Sequence, residues 1–441
     1  MITAEEIRIV HEALGMALRH GAQKARATLN KSSEDFIATL NGEIDRVTRS
    51  DDRSISISLI ADGRYGSFST NKLDKESLEA FIVKGIGITR MLAADSCRDL
   101  TDPGHCCRDA VTGLELEVCD PAFDQGTPES RAALALKAAV FGSDKAIISE
   151  EGEYSESIYD TYLADTQGLS CRHIETSYDY GVEITVEDGD GDKYSGYWWD
   201  SSPFRDKLKA EACGGIALRR ALAQIGSEPA PGGKYNMVID SDVASKVVSP
   251  ILRALSAYAI QQNNSFLMDS LGEKRFPDGM TIMDLPRIKG QSCSKYFDSE
   301  GAVTVDAPII EAGVVKQYFI NSYMSNKLGM APTIEEATRP KVMPWPKPGL
   351  GRDDILAMCG DGIYVTDFNG GNSNATTGGF SYGVEGFLFK DGKIVRPVSG
   401  MLVTGDFISL WSHLVAAGDD ARDCMSKLIP TLAFSNVDFN G

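Results

Sequence analysis

The chain has 441 residues and a formal net charge of −19, with 42% hydrophobic and 24% charged residues. That length and composition imply two or three globular domains with large apolar interiors. The acidic excess, 63 Asp and Glu against 44 Lys and Arg, repels phosphate backbones and anionic lipid, and no Lys or Arg run offsets it, so neither nucleic acid nor a membrane is an expected partner.

At the N-terminus, MITAEEIRIVHEALG carries acidic residues and lacks the apolar centre of a secretory signal. No stretch of about 18 uncharged apolar residues follows, so no membrane span is expected. Nine scattered cysteines read as free thiols of a reducing cytoplasm. Thr3 to Glu6 form a capping-box pattern, and Ile7, Val10, Leu14 and Leu18 predict an amphipathic helix over 4–21. Alternating segments at Ala25–Asn30, Asp35–Asn41 and Ser54–Ser69 predict strands, the last a hairpin turning at Asp62-Gly63. A helix is expected from Asp74 to Leu92.

This strand, strand, hairpin, helix order recurs. Ser155–Ala164 and Ser170–Tyr178 read as strands, Gly181–Glu187 and Lys193–Trp199 flank a DGDGD turn, and Arg205–Ile225 reads as a helix. Between the copies lies a Cys-bearing segment, then a helix with Thr127 as N-cap, Pro128 at its first position and Gly142 after it. Residues 1–226 are therefore expected to form an N-terminal α+β region of two half-repeats, about 1–95 and 120–226. Ser227–Gly233 reads as a linker.

The C-terminal domain, 234–441, opens with a strand at Tyr235–Asp240 and a helical pattern from Asp242 to Ile260. Pro250 is expected to break or kink that helix, with Ser249 as a candidate second N-cap. Asn263–Asp284 comes after that helical pattern and opens a long run of short strands. The remainder reads as an antiparallel β-rich region. Hairpins turn at Ala312-Gly313 and Asp391-Gly392, and short helices fit Ser322–Leu328, Asp353–Met358 and Phe407–Ala416. The fold class is α+β.

Four motifs imitate chemistry. His11-Glu12 lacks a second imidazole at Gly15 or Met16, so it is not a zinc-peptidase helix. The segment Cys97, His105, Cys106, Cys107 lacks the paired spacing of a zinc site. Asp188, Asp190 and Asp192 begin a calcium loop that Lys193 and Trp199 cannot complete. Gly379-Phe380-Ser381-Tyr382-Gly383 matches a nucleophile elbow, but a loop precedes it and a strand-like segment follows, where strand, turn and helix are needed.

Longer stretches carry more. SFLMDSLGEKRFPDGMTIMD (Ser265–Asp284), YFDSEG (Tyr296–Gly301), NSYMSNKLGM (Asn321–Met330), GGFSYGVEGFLFKDGKIVRPV (Gly378–Val398) and DFISLWSHLVAAGDD (Asp406–Asp420) occur in this order. They resemble the TldD/PmbA family, once labelled modulators of DNA gyrase, and its PmbA (TldE) branch in particular. The resemblance implies a heterodimer that cleaves peptides and small unfolded proteins. In it, a TldD-like chain carries His-Glu-x-x-x-His for zinc and a Cys near its C-terminus. Counted back from Ser265, the matching window here runs from Pro250 through Ile251 to Leu255 and holds no His, Glu or Cys. Cys424 stands near the family's C-terminal cysteine. Gly379 replaces an acid usual in the family before Phe380-Ser381.

The resemblance therefore implies a PmbA/TldE-like subunit that binds no cofactor itself. Zinc is expected on a TldD-like partner, pairing is expected with that partner or with a second copy, and the substrate is a peptide or unfolded protein. Two alternatives remain: a regulatory protein-binding factor outside proteolysis, and a self-sufficient hydrolase using Ser381 or a Cys–His metal site. Substrate contact is expected on the loop Asn374–Gly383, at Asn374, Gly378, Gly379, Phe380, Ser381, Tyr382 and Gly383, because glycine admits another backbone closely. A plain hairpin connection is the competing reading of that loop.

Overall fold

The N-terminal region is one layer of helices on one six-stranded sheet. A computed structural model describes residues 1–441. The first half runs α1 (Ala4–Arg19), β1 (Lys24–Leu40), β2 (Glu43–Ala61), β3 (Arg64–Thr70), α2 (Lys75–Thr89). The second repeats it as α3 (Pro128–Ala135), β4 (Ile147–Asp165), β5 (Ser170–Glu187), β6 (Lys193–Ser202), α4 (Cys213–Ala223). Strand order is β3-β2-β1-β4-β5-β6, so the halves meet at the antiparallel β1–β4 pair.

Side-chain parity explains the layering. Ala25, Ala27 and Leu29 of β1 pack with α1 and α2, while Ile37, of the same parity, packs with Tyr154, Tyr178 and Tyr180 in the core of the second half. The helices thus cover one face. Residues of opposite parity on β4 and β5, Leu163 and Cys171, pack with Phe297 of the C-terminal domain.

The C-terminal domain comprises β7 (Gly233–Ile239), α5 (Ser245–Ala254), α6 (Ala257–Gln261), β8 (Ile282–Asp284), β9 (Ala307–Glu311), β10 (Val314–Val315), α7 (Ser322–Leu328), β11 (Pro340–Val342), α8 (Arg352–Cys359), β12 (Gly362–Ser373), β13 (Gly379–Lys390), β14 (Lys393–Asp406), α9 (Phe407–Ser412), β15 (Leu414–Ala417) and β16 (Leu432–Asn440). A second six-stranded sheet has the order β14-β13-β12-β7-β16-β15, and β14 also pairs with β16. That extra pairing closes five strands into a ring, which removes their free edges. Only β7–β12 is parallel in this sheet. The largest core, 41 buried residues, fills the ring and reaches α5 and α9.

Several sequence expectations need correction. The segments 25–30 and 35–41 are one strand, β1, paired on both edges through Ser32, Ser33 and Glu34. Arg205–Ile225 is not one helix: two 3₁₀ turns precede α4, which starts at Cys213. The helix capped by Thr127 ends at Ala135, well before Gly142. As expected, the stretch from Asn263 follows the last turn of α6 and leads into β8. Asn263 and Asp269 take φ near +54°, and Tyr318 Oη accepts from the N–H groups of Ser270 and Leu271 and donates to the Leu267 carbonyl. The helix begun at Phe407 ends at Ser412, where β15 takes over.

Candidate functional site

Helix α5 has two chemically distinct faces. Val247, Val248, Ile251, Leu252 and Ala254 are buried in the main core, as is Leu255 at the C-cap. Lys246, Ser249 and Arg253, three and then four residues apart, share the opposite face. Pro250 lies inside the helix and does not break it. The break comes at Ser256, where the Leu255 carbonyl accepts from Phe319 N–H and the Phe319 carbonyl from Ala257 N–H, both at 2.9 Å. Apolar burial on both sides of Pro250 outweighs its missing donor.

Two cavities flank this polar face. One, of about 770 Å³, lies between α5 and the β12–β13 hairpin and is lined by Lys246, Arg253, Asn264, Asp367, Asn374 and Tyr382. The other, of about 970 Å³, lies between α5–α6, the uncovered face of β5 and loops of the C-terminal domain. His173, Glu175, Cys293, Lys295, Asp298 and Lys427 line it. Ser249, Arg253 and Ala259 border both cavities, so the two adjoin along α5 as two parts of a groove.

The titratable groups of the groove are mostly engaged. His173 Nε2 stands 3.3 Å from Glu175 Oε2. Asp298 Oδ1 accepts from the N–H groups of Glu300 and Ala302, both at 2.9 Å. Burial, then the neighbouring Glu335, push the Asp298 carboxyl up to about 7. Asp242 is held by Arg220 at 2.5 Å and Arg422 at 2.8 Å, and both guanidiniums stack on Trp198.

These residues do not fit a zinc ion. No group of three or more His, Cys, Asp or Glu side chains is arranged to hold a metal. The window Pro250, Ile251, Leu255 is buried, and the outward face of α5 carries cations that repel a divalent ion. Cys424 is half-buried, and burial pushes its thiol up despite nearby Arg422. His11 Nε2 pairs with Tyr162 Oη at 2.9 Å. Cys106 and Cys107 pack against Cys171, Leu163 and Phe297. Asp188 Oδ1 accepts from the N–H groups of Asp190 and Asp192 at the tip of the β5–β6 hairpin.

The stretch 374–383 is only half a loop. Asn374–Gly378 connect the strands, while Gly379–Gly383 belong to β13, and the segment before the loop is β12. Ser381 sits within a strand with no helix after it, so no nucleophile elbow forms. Phe380 and Tyr382 are buried and stack at 5.3 Å. The space beside two of the glycines is already filled: a Cβ at Gly383 would meet the Asn369 carbonyl at 2.2 Å, and one at Gly378 the Phe266 ring at 3.0 Å. Of the expected contact residues, Asn374 and Tyr382 line the groove. Sequence reading took Ser249 for a helix cap, whereas it lies inside α5, and gave Lys246 and Arg253 no role; the helical face shared by the three was the available signal.

A duplicated α+β layer docked on a β-ring, with a groove along one helix, defines the class of protein. Residues 26–88, 123–225 and 232–441 match PmbA/TldA metallopeptidase domain 1, central domain and C-terminal domain. The chain belongs to the PmbA/TldD metallopeptidase family. It is 26% identical to metalloprotease PmbA of Escherichia coli O157:H7 over 96% of each chain, and 27% identical to a PmbA homologue of Haemophilus influenzae over 94% of this chain and 92% of that one. A Bacteroides thetaiotaomicron structure described as a candidate modulator of DNA gyrase superposes with a TM-score of 0.95 at 38% identity over all of both chains. TldE from Thermococcus kodakarensis, at 17% identity, shares the fold with a TM-score of 0.83 over 98% of this chain and all of that one. No helix is long and apolar enough to cross a membrane.

Proposed function

We propose that this chain is the PmbA/TldE-like subunit of a two-subunit zinc metallopeptidase acting on peptides or unfolded small proteins. The zinc and its general base come from a TldD-like partner, and this chain shapes the substrate cavity. The observation that carries the reading is α5: it borders both parts of a large groove yet presents Lys246, Ser249 and Arg253 there, with no metal ligand among them. Relatives named metalloproteases support the family chemistry. A chain without two imidazoles and a base has no means of lowering the pKa of a bound water.

Co-purification with a TldD-like chain from the same cell, followed by an assay on an unfolded peptide, tests this. The mixture should cleave, and this chain alone should not. Cleavage by the isolated chain overturns the proposal. A stable complex without cleavage favours the regulatory reading suggested by the gyrase-modulator description of the Bacteroides relative.

A further inference from the structure

The groove along α5 has an asymmetry of partners. Its acids are engaged: Asp242 by Arg220 and Arg422, Glu175 by His173, Asp367 by the Phe368 N–H, Asp298 by backbone N–H groups, and Glu335 by Ser299. Only Glu336 stands free. Its cations are not engaged. Lys246, Arg253, Lys295 and Lys427 line the groove without an ion pair or a side-chain hydrogen bond, and Lys246 Nζ rests 4.7 Å from the Tyr382 ring centre. Six carboxylates, Asp242, Asp367, Glu175, Asp298, Glu335 and Glu336, line the same groove and balance its overall charge, so the unpaired cations act by direct contact with a ligand rather than through a net field.

Arg253 stands where the two cavities join, and Ser249 lies one turn before it on the same face. A planar guanidinium beside a hydroxyl offers a carboxylate two parallel N–H donors and an O–H donor. Arg253 is exposed and Ser249 half-buried, so both are open to a ligand. We propose that this groove holds the C-terminal carboxylate of an extended peptide, clamped by Arg253 and Ser249, with Lys246, Lys295 and Lys427 adding attraction along its length. The proposal rests on the reading of this chain as a peptide-handling subunit and adds to it a recognition feature: the free carboxyl end of the substrate. The peptide's polarity in the assembly is then fixed by this chain.

The test needs neither partner nor catalysis. An unstructured hexapeptide, labelled at its N-terminus, is titrated with the full-length chain as free acid and as C-terminal amide, and binding is read by fluorescence anisotropy. The free acid should bind at least tenfold more tightly, with the preference shrinking as salt rises. Arg253→Gln should abolish the preference, Arg253→Lys should keep part of it, and Lys84→Gln, an exposed change on α2, should leave it intact. Equal affinity for both peptides, no binding of either, or full preference in Arg253→Gln overturns the proposal. Because these readouts involve no hydrolysis, their failure leaves the two-subunit reading standing, and loss of cleavage in the mixed assembly leaves the clamp standing.

Discussion

Asp298 shows how a single buried acid ties loops together at the groove. Its carboxyl bridges the N–H groups of Glu300 and Ala302 and also accepts from Glu335 N–H at 3.3 Å. Burial, then Glu335, raise it from an ordinary value of 3.8 to about 7. The native state therefore keeps a proton that the unfolded chain has lost across that interval. Stability from this group is present at the acidic end and falls as pH rises from about 4 to 7. Thermal midpoints of wild type and Asp298→Asn between pH 4.5 and 7.5 check this: the wild type should lose ground to the variant as pH rises, and parallel curves would refute it. Legibility at this scale was uneven. The Thr3–Glu6 capping box was readable because its partners lie three residues apart, and it forms as expected. Asp298 was not readable, because its partners include a backbone group from a loop 37 residues away.

Elements were legible where local chemistry and burial agree. Asp74 and Asn321 cap α2 and α7 where the sequence pattern placed those helices, and the Asp62-Gly63 and Asp391-Gly392 turns form with both residues at positive φ. They were obscured where tertiary packing overrides a local signal. Ser32, Ser33 and Glu34 interrupt the apolar alternation of β1, yet pairing to β2 and β4 on both edges holds the strand straight through them. Pro250 reads as a breaker, yet Val247, Val248, Ile251 and Leu255 anchor both of its sides in the core. Ile251→Ala should therefore cost about 2–5 kcal/mol through lost burial and the cavity left behind. Denaturant unfolding measures it; a loss under about 1 kcal/mol would mean that α5 is not anchored as described.

At the scale of the molecule, the groove exists because the N-terminal sheet and the C-terminal domain hold a fixed relation. Asp242 fastens them: it pairs with Arg220 of α4 and with Arg422, and these two cations rest on the Trp198 ring of β6 at 4.3 and 4.2 Å. Residues 227–233 add to the junction, with Arg396 donating to the carbonyls of Glu228 and Pro229 and Ala230 buried. Asp242→Ala leaves Arg220 without its carboxylate and Arg422 with only Asp200 and the Trp199 carbonyl, and should destabilise by about 1–3 kcal/mol. Hydrogen exchange should then rise in α4 and β6; unchanged protection there would contradict the clamp. This junction was invisible in sequence, since its three charged members lie far apart along the chain and none belongs to a motif. The duplicated layout and the absence of His, Glu or Cys from 250–255 were visible, because both are statements about order and residue type.

On the proposed reading, this chain contributes shape and recognition to a metallopeptidase, and its partner holds the metal. The most direct measurement is the zinc content of the purified full-length chain after equilibration with excess zinc and removal of loosely held ions. The prediction is well under one zinc per chain, and no loss of thermal stability with chelator. One tightly held zinc per chain, bound in the α5 groove and needed for peptide cleavage by the isolated chain, would contradict it.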